Sequence, residues 1–159
     1  MENKFRIEEV DHQVLAVAKR IHEVQRLAYA QEAALLGAVY FPPLERTVDE
    51  LQESTERFVA AMQRDEMLAC ISVLSGDGHR GMRIASLVVR PASQRRGIGR
   101  ALLGSVVEAH GHVGLTVQTG VKNIPALTLY RHAGFEEVRR WMVGREPLEL
   151  VELHRSMPR

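Results

Sequence analysis

At 159 residues the chain is long enough for one domain with a sizeable core, and 45% apolar and 26% charged content is ordinary for a soluble globular protein. A formal net charge of +1 gives no basic excess with which to neutralise nucleic-acid phosphates, so no nucleic-acid partner is expected. One cysteine excludes an internal disulfide framework; no basic-then-apolar leader opens the chain and no apolar run approaches membrane-spanning length, so a cytoplasmic protein with no membrane partner is expected.

FRIEEV alternates apolar and polar residues and reads as a first strand. From Gln13 the spacing becomes helical, with Val14, Val17, Ala18, Ile21, Val24 and Ala28 on one face, and predicts a helix to about Tyr29. The segment from Gln31 to Arg46 is less regular and contains Pro42-Pro43, which end any helix before them. Thr47 followed by Glu50 is a capping box and starts a short helix through Leu51. RFVAAMQ and MLACISVLS then read as two strands joined through Arg64-Asp65-Glu66, with Cys70 as a buried strand thiol. GDGHRG is a turn, and MRIASLVVR a strand ending before Pro91.

Ile98, Ala101, Leu102, Ser105, Val106 and Ala109 share a helical face that Gly111 closes. VGLTVQT is a strand and PALTLYRHA a short helix with Pro125 in its first turn. FEEVRRWMV and LELVELH are two closing strands. Without repeats or linker-like boundaries, residues 1–159 read as a single mixed α/β domain.

The chemistry concentrates in VVRPASQRRGIGRAL, Val88 to Leu102. A strand stops at a proline, a polar loop follows, and a helix opens on two glycines and three arginines. A helix N-terminus carries unpaired N–H groups and binds anions. Gly97 and Gly99 let a ligand approach the backbone, and Arg95, Arg96 and Arg100 add donors suited to phosphate. A P-loop is excluded because Arg100-Ala101 stands where Lys and Ser or Thr are needed. A dinucleotide fingerprint is excluded because the third glycine, Gly104, comes too late, and the next strand ends in Gln118, Thr119 and Gly120 without an acid.

Gln94-Arg95-Arg96-Gly97-Ile98-Gly99 resembles the Q/R-x-x-G-x-G/A signature of the GNAT superfamily of acyl-CoA-dependent N-acyltransferases. A second stretch is similar to the family's N-x-x-A…L-Y-x-x-x-G-F pattern: Asn123, Pro125-Ala126, Tyr130 and Gly134-Phe135. Two motifs in the right order are far more specific than either alone. The resemblance implies a mixed central sheet, splayed into a V-shaped cleft and flanked by helices. It implies acetyl-CoA as cosubstrate, with its pyrophosphate on Gln94, Arg95, Arg96, Gly97, Ile98, Gly99, Arg100 and Ala101. The pantetheine arm would pair like an extra strand with Leu87, Val88 and Val89, near Asn123 and Ala126. It further implies an amine acceptor, an oxyanion contact from the backbone N–H of Val88 or Val89, and Tyr130 as the acid that protonates the departing thiolate.

An alkyl amine with a pKa of about 10.4 must lose a proton before attack. Several family members place a glutamate on the strand before the loop, but Gly78 to Val107 contains neither Asp nor Glu. Glu32, Glu45 and His79, or a water chain, remain open as the base. Tyr29, Tyr40, Phe41 and Leu44 are candidates for an apolar acceptor pocket, with ordinary core packing the alternative. His110 and His112 flank a glycine with no nearby cysteine or acid cluster, so no metal site is expected. Arg139-Arg140-Trp141 reads as an exposed face beside a core residue, and Met62, Met67, Met82 and Met142 as packing. The expected function is transfer of acetyl to a primary amine of a small molecule or, secondarily, of a peptide. A non-catalytic acyl-CoA sensor on the same fold is the rival, and association into a homodimer stays open.

Overall fold

A computed structural model describes residues 4–75, 81–144 and 148–156. Its strands are β1 (Arg6–Val10), β2 (Arg57–Gln63), β3 (Glu66–Ser75), β4 (Met82–Val89), β5 (Leu115–Gly120), β6 (Glu136–Val143) and β7 (Leu148–Arg155). Its α-helices are α1 (Leu15–Leu36), α2 (Val48–Glu53), α3 (Ile98–His110) and α4 (Ile124–His132). The strands form one sheet in the order β1-β2-β3-β4-β5-β7-β6, antiparallel except where β4 runs parallel to β5. None of the described helices is long and apolar enough to cross a membrane.

Helix α1 runs a full two turns beyond the expected end at Tyr29. AQEAALL consists of strong helix formers and nothing before Gly37 breaks it. Gly37, at φ +67°, then closes the helix: its N–H donates to the Ala34 carbonyl and the Ala38 N–H reaches back to Ala33, the pairing of a Schellman motif. The pair Pro42-Pro43 opens a short 3-10 turn, Pro42–Glu45. The Thr47 capping box forms as expected, with the Glu50 N–H donating to Thr47 Oγ1 at 3.1 Å and the Thr47 N–H to Glu50 Oε1 at 3.0 Å.

Two buried clusters lie on the two sides of the sheet. Ala18, Ile21, Val24 and Ala28 of α1 pack with Leu51, Phe58, Cys70 and Val88. Ile98, Leu102, Leu103 and Val106 of α3 and Leu127 and Tyr130 of α4 pack with Ile71, Ile84, Val117 and Leu153. The buried hydroxyls of Ser72 and Ser86 satisfy each other at 2.6 Å, which offsets the cost of placing them inside. A β-bulge follows immediately, with Ala85 the unpaired residue between Ser86, opposite Ser72, and Ile84, opposite Val73.

Beyond that bulge the sheet opens. β4 pairs with β5 only through Met82, Ile84 and the residue between them, while β5 continues along β7 to Gly120. The rest of β4, Ala85 to Val89, is left without a partner on its β5 side, which is the V-shaped splay expected. The last turn of α1 closes one end of the opening: a Cβ on Gly120 would lie 2.5 Å from Leu36 Cδ2, so the glycine is what lets α1 seat against β5.

Two expectations fail at the sheet edge. β6 is the terminal strand and is open on nearly every residue. Met142 is therefore exposed rather than packed, and Trp141 is half-buried rather than a core residue, with the Arg139 guanidinium 4.3 Å from its ring centroid. Arg139 and Arg140 pair with Glu152 and Glu137.

Candidate active site

The loop after β4 is built to leave donors free. Arg90 pins its start: Nε donates to the Met67 carbonyl at 2.6 Å and Nη1 to Glu23 of α1 at 3.0 Å. Gln94 exchanges side-chain hydrogen bonds with Gln31 of α1, the shorter at 2.6 Å, fixing the loop to that helix. Arg95 and Gly97 both adopt left-handed backbone, φ +64° and +77°. Gly97 is the N-cap of α3 and no side chain among the described residues caps that helix, so the N–H groups of its first turn are left without a partner there.

Arg96 strengthens the case for an anion. Its Nε and Nη2 are buried and have no hydrogen-bond partner among the described residues, a costly arrangement unless a ligand supplies the acceptor. Nothing lies within 4 Å of the position a Gly97 Cβ would take. A Cβ on Gly99 would make ordinary contacts with Val89 and Leu129, which places the loop against both β4 and α4. Ile98 points into the core; Arg95 and Arg100 are exposed. A pyrophosphate fits this donor set.

The open edge of β4 has a definite phase. The Arg90 N–H donates to the Leu68 carbonyl at 2.9 Å, and Val88 lies opposite Cys70 in regular register. Main-chain groups alternate sides along a strand, so those of Val88 face β3, while those of Leu87 and Val89 face the splay. Of the two expected oxyanion donors, Val89 is the one turned to the cleft. The Val88 side chain is buried beneath α1.

Tyr130 of α4 belongs to the buried cluster against which Leu87 and Val89 pack, 4% exposed and tilted against Phe135 at 5.5 Å between ring centroids. Burial, with the charge of Glu32 adding to it, pushes its hydroxyl well above the usual tyrosine range, so it stays protonated. Asn123 is the N-cap of α4: its Oδ1 accepts from the Ala126 N–H at 3.3 Å, and its Nδ2 donates to Glu32 Oε1 at 2.9 Å. One donor and one lone pair of that amide remain. Ala126 lies partly buried behind it.

With this geometry in place, relatives are informative. The sequence model of the Acetyltransferase (GNAT) family matches residues 19–135. The chain belongs to the GNAT acetyltransferase family. It is 34% identical over 132 residues to UPF0157 protein YqkA of Bacillus subtilis, covering 82% of this chain and 38% of that one. It is 36% identical over 73 residues to the peptidyl-lysine N-acetyltransferase YiaC of Escherichia coli, covering 46% and 45%. The chain thus spans less than half the length of these relatives. Among solved structures, yncA of Salmonella typhimurium, a putative acetyltransferase with its cofactor acetyl-CoA, matches with a TM-score of 0.74 at 16% identity, over 99% of this chain and 96% of that one.

Within this GNAT fold the open question of the base divides cleanly. Glu45 is exposed and, among the described residues, accepts a single 3.4 Å hydrogen bond, from Tyr40, itself 66% exposed. His79 lies outside the described residues. Glu32 is half-buried, sits one turn before the end of α1, and is held by the N-cap of α4. Burial raises its carboxyl above the usual range, against the hydrogen bond from Asn123. Sequence reading named Glu32 without separating it from Glu45, because it expected irregular chain there instead of helix. Of the expected pocket residues, Tyr29 and Phe41 pack edge to face at 5.9 Å, and Tyr40 stands outside them.

Proposed function

We propose that the protein is an acetyl-CoA-dependent N-acetyltransferase that transfers acetyl to a primary amine of a small molecule, by direct attack within a ternary complex. The observation that carries this is a convergence: among the described residues, a helix N-terminus without a side-chain cap and the buried, unpartnered Nε and Nη2 of Arg96 lie directly beyond an unpaired strand edge. A phosphate-bearing thioester with an amide-containing arm needs all three. The naming of YiaC as a peptidyl-lysine acetyltransferase supports a primary amine as acceptor, with a peptide amine as the second acceptor class.

In this reading the loop from Gln94 to Ala101 holds the pyrophosphate, with the helix dipole offsetting its charge. Leu87 and Val89 pair with the pantetheine amides, flanked by Asn123 and Ala126. The Val89 N–H donates to the thioester carbonyl as negative charge develops there. Tyr130, protonated and buried beside the strand edge, gives a proton to the departing sulfur. Leu87 and Val89 serve through their backbone, while Val88 bonds to β3 through its own and anchors the edge beneath α1 through its side chain. The site of action is the cytoplasm, and no metal takes part.

Calorimetric titration with acetyl-CoA, followed by thiol release with a panel of amines, tests the proposal. Saturable binding with amine-dependent release is the expected result. Binding without release from any amine would instead identify a sensor of acyl-CoA, and no binding would overturn the phosphate loop.

A further inference from the structure

The transfer still requires a group to take the amine's proton, and β4 supplies none, since Gly78 to Val107 contains neither Asp nor Glu. We propose that Glu32 is the general base, receiving the acceptor's ammonium group and taking its proton, so that the acceptors are cationic aliphatic amines. The inference rests on the acetyltransferase reading above.

α1 is tied to both walls of the cleft around Glu32: Gln31 bonds to Gln94 of the anion loop, Asn123 of α4 bonds to Glu32, and Leu36 packs on Gly120 of β5. Glu32 is also near enough to Tyr130 for its charge to act on that hydroxyl. A proton acceptor held by the N-cap of α4 and a proton donor on α4 itself are thus coupled, and the donor lies in the buried cluster against which Leu87 and Val89 pack.

Glu32 is half-buried, yet no cation pairs with it among the described residues. A comparably buried carboxylate is matched: Glu56 pairs with Arg46 at 2.9 Å. A partly desolvated, unpaired carboxylate is costly and becomes favourable when a cation arrives. The titratable groups facing it are Tyr29 on its own helix and Tyr130 on α4, both held protonated by burial, and beyond Tyr29 the mutually compensating Arg46–Glu56 pair. Burial lifts the Glu32 carboxyl toward the pH at which a base works best.

The protons balance. The ammonium gives one proton to Glu32, which later releases it to water. The freed nitrogen forms the N–C bond to the acetyl carbonyl carbon, and the C–S bond breaks. Sulfur takes the Tyr130 proton, and the proton that nitrogen loses as the amide forms restores Tyr130.

The test uses Glu32→Gln, which keeps the size and the acceptor for Asn123, and Glu32→Asp. Acetyl-CoA affinity is measured by calorimetry, and kcat/KM by thiol release with putrescine, lysine and an alanine-terminated peptide from pH 5 to 9. Glu32→Gln is expected to bind acetyl-CoA like wild type, to lose about 100-fold or more in kcat/KM at neutral pH, and to lose the acidic limb of the profile. Glu32→Asp should retain that limb at a reduced rate. Glu32→Gln activity near wild type with an unchanged acidic limb would overturn the base assignment while leaving the transferase intact. Wild-type protein that binds acetyl-CoA but releases thiol with none of the amines would overturn the transferase reading, and this inference with it.

Discussion

Replacing Gly97 with alanine separates what the fold needs at this position from what the ligand needs. Gly97 sits at φ +77°, and an added Cβ meets nothing within 4 Å, so alanine introduces backbone strain and no clash. Holding an L-residue in left-handed backbone costs about 1–2 kcal/mol, or a fall of about 2–8 °C in melting temperature for a chain this size. Gly37 provides a matched control, because it sits at φ +67° with the same empty surroundings but ends α1 instead of opening α3. Both variants should lose similar stability in thermal melts. Only Gly97→Ala should lose acetyl-CoA affinity, by about tenfold or more, equivalent to about 1.4 kcal/mol, because its methyl group stands over the free N–H groups of α3. Calorimetry on both proteins decides the matter. Wild-type affinity in Gly97→Ala, or an equal loss in Gly37→Ala, would refute the anion site.

Tyr130→Phe should leave acetyl-CoA binding and the melting temperature nearly unchanged, since no hydrogen bond to the hydroxyl is made among the described residues, yet lower kcat by about 100-fold. Burial and the Glu32 charge raise the Tyr130 hydroxyl, so it keeps its proton as pH passes the ordinary tyrosine value of about 10, and the wild-type rate should show no alkaline limb there. Cys70 is fully buried and burial pushes its thiol up to about 12, so a thiol reagent should label the native protein negligibly and label one group after unfolding. Gly104→Ala, on an exposed position in the interior of α3 with nothing within 4 Å of the new Cβ, should stabilise the protein by about 0.5–1 kcal/mol in urea titration.

Helix α1 emerges as more than a cover for the sheet. Its N-terminal half buries Ala18, Ile21 and Val24 against the sheet, and its last two turns carry Gln31, Glu32 and Leu36 to the anion loop, α4 and β5 in turn. One helix thus sets the relation between the proposed phosphate loop and Glu32. Its extension past Tyr29 is what makes that possible.

The order and type of every strand and α-helix were legible in the sequence because their signals are local. Alternation marks FRIEEV, the Thr47–Glu50 pair starts α2, and Pro91, Gly97 and Pro125 punctuate the elements around the site. The strand–loop–helix context of the proposed anion loop was legible for the same reason: Gln94 to Ala101 are contiguous, with β4 before them and α3 opening within them. Residues brought together from far apart were not legible. Asn123 and Glu32 meet across 91 positions, and no pattern near either one announces the other. The partial β4–β5 pairing turns Leu87 and Val89 toward open space, and the strand order leaves Trp141 and Met142 at an edge. Glu32 and Glu45 are alike as residues. Tertiary packing alone decided that one is solvated and the other lies half-buried opposite a tyrosine, because a carboxylate's solvation is set by what folds over it and not by its neighbours in sequence.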